Sequence, residues 1–364
     1  MKGQPLPAHR YSWRRAAWPA YLRWMRSTNW PILVGPWHGE IGFEALYWLP
    51  FLERLVHHAG LDRKRFIPIS RGGAAVWYGC ETGLELYGMR TPQQVRIERR
   101  LQVGRWGIQK PLGVSPFDRS VLADAAATMK LRQYHVLHPA WMYHLLAPFW
   151  VGERGISWLL ESTRYQSLPP PPLPSELDGQ LPASFVAVRF YGREGTFPQR
   201  HPTVAPLVKA TVETIAQSSP VVILDAGLFL DEHVDLTPGT FATTPHPILR
   251  LRTMAGMLPE RNLALQSAVL ARAIGFVGTY GGFAQLALRL GRPSVSFFTD
   301  WGGTAFPHKA LADFLSLHVP VPFQVFKVSE LMMTRAVLPI VEVATATSGL
   351  VAPPPAVDKT LSPA

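Results

Sequence analysis

A chain of 364 residues is long for one ordinary core and suits two units of roughly 150 residues each; 47% hydrophobic against 17% charged residues argues for folded cores rather than disorder. One cysteine, Cys80, excludes an intrachain disulfide framework and any cysteine-rich zinc site, and fits a reducing, cytoplasmic setting. The net charge of +11 asks for anionic partners, yet the cations are spread along the chain and no nucleic-acid module is legible, so a phosphate-bearing substrate or a lipid surface suits the bias better than DNA or RNA.

Residues 1–29 form a basic, aromatic arm. Lys2, Arg10, Arg14, Arg15, Arg23 and Arg26 are interleaved with Tyr11, Trp13, Trp18, Tyr21 and Trp24, and no acidic residue interrupts them. Two readings compete: peripheral contact with the inner face of an anionic membrane, and a strap packed on its own domain by its rings. No apolar run reaches 18 residues, and no secretory leader is expected.

Trp30–Gly35 reads as a strand, and Pro36–Glu44 as a glycine-bearing loop. Ala45–Val56 follows as an apolar helix in which Pro50 predicts a kink or a break. Phe66–Ser70 is a strand leaving at Arg71-Gly72-Gly73. Residues 76–117 have mixed periodicity and give only a strand or short helix near 93–103. Ser120–Arg132 reads as a helix, Tyr134–Leu137 as a strand followed by His138 and Pro139, and 141–160 as one or two apolar helices. The polyproline run at 168–174 cannot continue helix or sheet, and sets a linker at 168–182 between a first domain, 30–167, and a second, 183–328.

The second domain alternates more plainly. Strands are expected at 184–191, 221–225, 248–251, 275–280 and 294–298, with helices at 204–217, 262–273 and 283–290. Continuous apolar strands alternating with helices mean a doubly wound parallel sheet. A last helix is expected at 329–351 and a disordered Pro/Ala-rich tail at 352–364.

In such sheets ligands sit beyond the carboxyl ends of the strands, near helix N-termini. Three loops fall there. GPWHGEIGFE carries His38, Glu40 and Glu44, any of which suits a general base, although Glu40 and Glu44 also suit the start of a helix dipole. VRFYGREGTFP carries Arg189, Tyr191 and Arg193, a pair of cations for a diphosphate; the structural alternative is an Arg189–Asp225 ion pair. GTYGGFAQ carries Thr279, Tyr280, Gly281, Gly282 and Gln285, an anion cradle or simply a tight turn. Trp301, after the last strand, is placed to stack on a base or sugar. No GxxxxGK[ST], GxGxxG after a strand, HExxH or GxSxG is present, and no metal or bound cofactor is expected.

These three segments, with GPWHGEIGFEALYWLPFLERL, VAVRFYGREGTFP and LQSAVLARAIGFVGTYGGFAQLALRLGRPSVSFF quoted in full, resemble bacterial glycosyltransferases of the GT-B type, the last being similar to the donor-binding region of heptosyl- and fucosyltransferases. The resemblance implies two Rossmann-like doubly wound domains facing across a cleft. It also implies a nucleotide-sugar donor on the second domain, a glycan or lipid-linked acceptor on the first, and transfer without a metal. It matches Arg189 and Arg193 to diphosphate-holding cations, Thr279 to Gly282 to the glycine-rich turn, and His38 or Glu40 to the base. The fucosyltransferase HxRxxD pattern is absent, since Ala187 stands two residues before Arg189. The alternative of another class is a non-catalytic glycan- or nucleotide-binding protein with the same fold.

Overall fold

The computed structural model describes residues 12–106, 110–192, 197–199, 202–300, 305–318 and 321–329. Arg193, Trp301 and most of the expected C-terminal helix and tail lie outside the described residues.

The first half runs α1 (Ser12–Ser27), β1 (Ile32–Val34), α2 (Ile41–Phe43), a π-helical turn (Glu44–Trp48), α3 (Leu49–His57), β2 (Phe66–Ser70), β3 (Leu84–Glu85) and α4 (Leu86–Met89). It continues with α5 (Pro92–Trp106), α6 (Pro116–Thr128), β4 (His135–Leu137), α7 (Pro139–Trp150) and α8 (Ile156–Ser162). Its four strands form a parallel sheet in the order β3-β2-β1-β4. β1 and β2 are buried along their whole length, which is why they read as unbroken apolar runs.

α1 is laid on this half by its rings. Trp18 packs on Phe51 and Trp141, Tyr21 stacks on Trp141, and Met25 is fully buried. β4 is an edge strand, and the Tyr21 hydroxyl serves its exposed backbone, donating to Val136 O at 2.7 Å and accepting from Val136 N at 3.1 Å. Arg23, Trp24 and Arg26 remain on the outer face.

The second half runs α9 (Ser175–Asp178), β5 (Val186–Arg189), β6 (Tyr191–Gly192), α10 (Val204–Ser218), β7 (Val221–Ile223), β8 (Val234–Asp235), β9 (Ile248–Arg250) and α11 (Leu251–Met254). Then come α12 (Asn262–Arg272), β10 (Gly275–Thr279), α13 (Gly282–Arg289), β11 (Ser294–Phe298), α14 (Ala305–His318) and β12 (Phe323–Lys327). Six parallel strands lie in the order β12-β11-β10-β5-β7-β9. α10 shows why the helices cover this sheet: Val204, Leu207, Val208, Val212 and Ile215 fall on one stripe and are all buried, worth roughly 1.5–3 kcal/mol each. Chain direction along the sheet reverses between β5 and β10, and the crevice at that switch point is where a doubly wound sheet takes its ligand.

The two sheets meet through the helices that leave their strands' carboxyl ends. α2, which follows β1, meets α13, which follows β10, through two glycines: a Cβ on Gly282 would lie 2.9 Å from Ile41 Cβ and 3.2 Å from Gly42 N. One apolar cluster continues from Phe43, Tyr47 and Trp48 of the first half to Phe276, Tyr280 and Phe283 of the second.

Pro50 does not break its helix. It stands in the first turn of α3, directly after the π-helical turn, where the wider winding absorbs the ring. The carbonyls left without helical partners there are taken from elsewhere: Arg289 Nη1 donates to Ala45 O at 2.6 Å and the Tyr165 hydroxyl to Leu46 O at 2.8 Å. Arg289 Nη2 also donates to Gln166 O at 2.6 Å, while its guanidinium lies 5.2 Å from the Tyr165 ring centre. Burial pushes this guanidinium down to about 10, so it is still a cation at neutral pH.

Arg289→Met keeps most of the buried volume and removes both bonds. The buried Ala45 carbonyl and the Gln166 carbonyl then lose a charged donor, and urea unfolding is expected to show a loss of about 3 kcal/mol; a change below about 1 kcal/mol would mean that Arg289 is not what joins the halves.

Candidate functional site

The first half brings three elements to one carboxylate. Ser115 caps α6: its hydroxyl accepts from Asp118 N at 3.0 Å, and the Asp118 carboxylate accepts from Ser115 N at 2.8 Å, a reciprocal box with Pro116 as the first helical residue. The same carboxylate lies 3.1 Å from His38 Nε2, on the loop after β1, and 3.3 Å from His138 Nε2, at the start of α7. His138 is the N-cap of α7, its Nδ1 accepting from Ala140 N at 3.1 Å. All three side chains are buried. Burial opposes ionisation of Asp118, but hydrogen bonds from His138 and His38 outweigh it and hold the carboxyl well below its usual range.

The tautomers follow from these partners. A carboxylate can only accept, so Nε2 of His38 carries the proton and Nδ1 is left as a bare lone pair. That Nδ1 is buried and has no hydrogen-bond partner among the described residues. The ring is held edge-on by Phe117, with Gln102 of α5 at 3.5 Å from Nε2. A histidine backed by a carboxylate through one nitrogen and open at the other is built to take a proton.

Glu40 and Glu44 differ sharply. Glu40 is partly exposed, with Lys110 Nζ at 3.6 Å. Glu44 is enclosed, ion-paired with Arg71 at 2.9 Å and accepting from the Tyr78 hydroxyl at 2.7 Å; burial raises its pKa against both partners. In this arrangement Glu44 holds the loop exit of β2 to the helix after β1.

At the switch point of the second sheet, Gly278 is the register partner of Arg189, so the two strand exits lie side by side. Thr279 locks them: its hydroxyl accepts from Tyr191 N and donates to Tyr191 O, both at 3.0 Å. Tyr191 fills the space over Gly281, where an added Cβ would come within 2.1 Å of the phenol oxygen. Tyr280 is fixed by its N–H to Phe297 O at 2.8 Å; burial raises its phenol, and a hydrogen bond with Gln285 works the other way. Arg189 donates to Leu224 O and lies 4.8 Å from the Phe283 ring centre, with its Nε buried and without a partner among the described residues. The Arg189–Asp225 pair does not form, because Asp225 is held by Arg250 at 2.7 Å and Arg252 at 3.1 Å.

His38 and this crevice belong to one locale. Gly42 lies four residues beyond His38, and a Cβ on Gly42 would meet Gln285 Oε1 at 2.0 Å and Gly282 Cα at 3.6 Å. Four residues of chain span at most about 14 Å. The loop between β7 and β8 adds a residue pair that the sequence reading did not single out: His233 Nδ1 lies 2.8 Å from Asp231 Oδ2, and the ring packs on Tyr191 at 4.7 Å. The same loop reaches back to α5, where Glu232 meets Arg99 at 3.4 Å and Phe229 O accepts from Arg96.

The strand exit at Arg71-Gly72-Gly73 is also an anion cradle, but the protein fills it itself. Gly72 and Gly73 have φ of +68° and +79°, and their N–H groups donate to Glu85 at 2.9 and 2.7 Å, as does Tyr87 N at 3.0 Å. The same loop caps α12, with Ala264 N donating to Gly72 O at 2.8 Å. Asn262 and Gln266 are therefore buried packing residues beneath this contact.

No family model and no curated protein matches this chain. Solved structures with a similar fold include E. coli heptosyltransferase WaaC with ADP-2-deoxy-2-fluoro heptose, at 14% identity and a TM-score of 0.34, covering 79% of this chain and 99% of that one. The glycosyltransferase of kitacinnamycin is similar at 14% identity and a TM-score of 0.31, covering 88% of this chain and 94% of its own. WaaC with ADP gives 14% identity and a TM-score of 0.32 over the same shares as the first.

Glu85 yields a pH test. Burial pushes its carboxyl up to about 7, in spite of three N–H donors and Arg71. The folded state therefore binds this proton more tightly than the unfolded chain does, and between the ordinary carboxylate range and pH 7 stability falls as pH rises. The full span is worth about 3 kcal/mol. Urea unfolding at pH 5 and pH 8 should show that decline in the wild type and a flatter dependence in Glu85→Gln; parallel slopes would refute it.

Proposed function

We propose that the protein is a glycosyltransferase that moves a sugar from a nucleotide-sugar donor on the second half to a hydroxyl of a glycan or lipid-linked acceptor on the first. The observation that carries this reading is His38, backed by Asp118 through Nε2, with an unpartnered Nδ1 within one short loop of the glycine turn at Gly281-Gly282.

In this scheme His38 Nδ1 takes the proton of the acceptor hydroxyl as its oxygen attacks the anomeric carbon. The bond from that carbon to the diphosphate oxygen breaks, and the departing negative charge falls to Arg189 and to the N-terminal end of α13. Asp118 stabilises the imidazolium that forms without itself taking the proton. No step of the scheme calls for a metal. Because Nδ1 is enclosed, admission of the acceptor requires the crevice to open. The outer face of α1, with Arg23, Trp24 and Arg26, supports work at an anionic bilayer surface, where a lipid-linked acceptor would be met.

A thermal-shift panel of UDP, GDP, ADP, CMP and dTDP sugars tests the donor side. One nucleotide should stabilise the fold by about 2.7 kcal/mol at a hundred times its Kd, and Arg189→Ala should abolish that shift while leaving the unliganded melting point within a few degrees. Absence of any shift across the panel would end the proposal. His38→Ala should still bind donor and lose transfer by roughly 10²–10⁴-fold; donor binding by the wild type without turnover on any acceptor would favour a binding protein instead.

A further inference from the structure

Asp118 is a shared carboxylate, and its second histidine has no place in the proton transfer just described. His138 cannot serve as another base, because its Nδ1 lone pair is already taken by the Ala140 N–H at 3.1 Å. Its proton therefore sits on Nε2, and that nitrogen is buried, lies 3.3 Å from Asp118 Oδ2, and has no other partner among the described residues. Oδ2 also accepts from Ser115 N at 2.8 Å, while Oδ1 is left to His38 at 3.1 Å.

We propose that His138 is a positioning residue: its Nε2–H and the Ser115 N–H together occupy Oδ2, which fixes the rotation of the Asp118 carboxylate and reserves Oδ1 for His38. A carboxylate free to turn about its Cβ–Cγ bond would swing Oδ1 out of line with His38 Nε2. With no fixed acceptor on Nε2, His38 would then gain access to both neutral tautomers, one of which carries its proton on Nδ1 and cannot accept another there. The anchorage is rigid at both ends. Asp118 is tied to its own helix start by the capping box, and His138 is tied to the start of α7 as its N-cap behind Pro139. Three helix or strand termini, those of β1, α6 and α7, are thus registered to one another by a single buried anion. Gln102 of α5 and the edge-on ring of Phe117 also contact His38, and neither is charged.

This inference rests on His38 being the base, so its test includes a readout independent of turnover. His138→Asn is the informative variant, since an asparagine oxygen can still cap Ala140 N–H while the donor to Oδ2 is lost. Long-range ¹⁵N–¹H spectra of the imidazoles should show His38 as a single Nε2–H tautomer in the wild type and as a mixture in His138→Asn. If His38 keeps one tautomer in His138→Asn, the positioning role is wrong. Should His138→Asn fail to fold, His138→Ser, whose hydroxyl can cap Ala140 N–H but is too short to donate to Oδ2, takes its place with the same expectations. Hydrolysis of UDP-glucose or ADP-glucose, whichever the wild type turns over, gives the second readout. A drop of about tenfold in kcat with KM unchanged is expected, the scale on which groups behind a working histidine count; an equal drop through KM alone would overturn the role. If instead His38→Ala leaves hydrolysis intact while the tautomer result holds, it is the assignment of the base that falls.

Discussion

Pro50 has no N–H, and the Ala45 carbonyl that faces it across the wide turn accepts instead from Arg289 Nη1 at 2.6 Å, on a helix of the other half. This is an unusual use for a helix-breaking residue. The unsatisfied acceptors that a proline leaves are ordinarily given to water, but here they are buried and need a donor. Only a long, multiply donating side chain can reach from α13, and arginine offers five N–H groups in a fixed fork. With Arg289 so engaged, α13 is held against α2, the glycines at 42 and 282 can touch, and the carboxyl ends of both sheets are brought to one junction. The position of the site thus depends on a backbone deficiency more than on any matched pair of charges.

The first half builds its site by a related economy, using helix termini twice. Asp118 would be explained completely as the third residue of a capping box, and His138 completely as an N-cap. Each also projects its remaining polar atoms into the space behind His38. Because a cap geometry is set by local backbone, groups placed this way lose little entropy on being ordered and hold their orientation without help from the ligand. The buried anion is tolerable for the same reason: it accepts one backbone and two imidazole contacts, so no lone pair on the site side is left to be desolvated for nothing.

How much of this was legible in the sequence varies with how burial patterns the chain. The strands at 66–70, 275–279 and 294–298 and the helices at 204–218 and 262–272 agree with their reading within a residue or two, because a parallel sheet covered on both faces leaves unbroken apolar runs. The stretch 76–117 resisted because α5 is turned inside out. It buries Glu98, Arg99 and Gln102 toward the junction and exposes Ile97, Leu101 and Val103, so its apolar stripe points away from the interior. α6 begins at Pro116, four residues before the Ser120 start that the apolar pattern suggests, because Ser115-Pro116-Phe117-Asp118 is a cap signature with proline in its first turn. With that signature unread, Asp118 went unnoticed as a partner for His38. Of the two readings of the basic arm, the packed strap is the one seen: the rings of Trp18 and Tyr21 face the domain, while Arg23 and Arg26 are exposed.

The two halves treat their glycine-bearing strand exits differently, and that difference bears on which one receives a phosphate. After β2, the left-handed glycines 72 and 73 point two N–H groups at a single spot, and Glu85 already occupies it. An incoming anion would have to displace a carboxylate that is bound by three backbone donors and would repel it while charged. After β10, by contrast, the turn is held by Thr279 and Tyr191 through groups that are neutral, and the cation beside it, Arg189, is engaged only by a carbonyl and a ring among its described partners. A guanidinium that has no carboxylate to give up meets a diphosphate at a smaller desolvation cost than one that must first break an ion pair, as Arg71 would from Glu44. Within the proposed scheme, electrostatic cost therefore favours the second half for the diphosphate of a donor over the first, with its buried His38 and self-filled cradle.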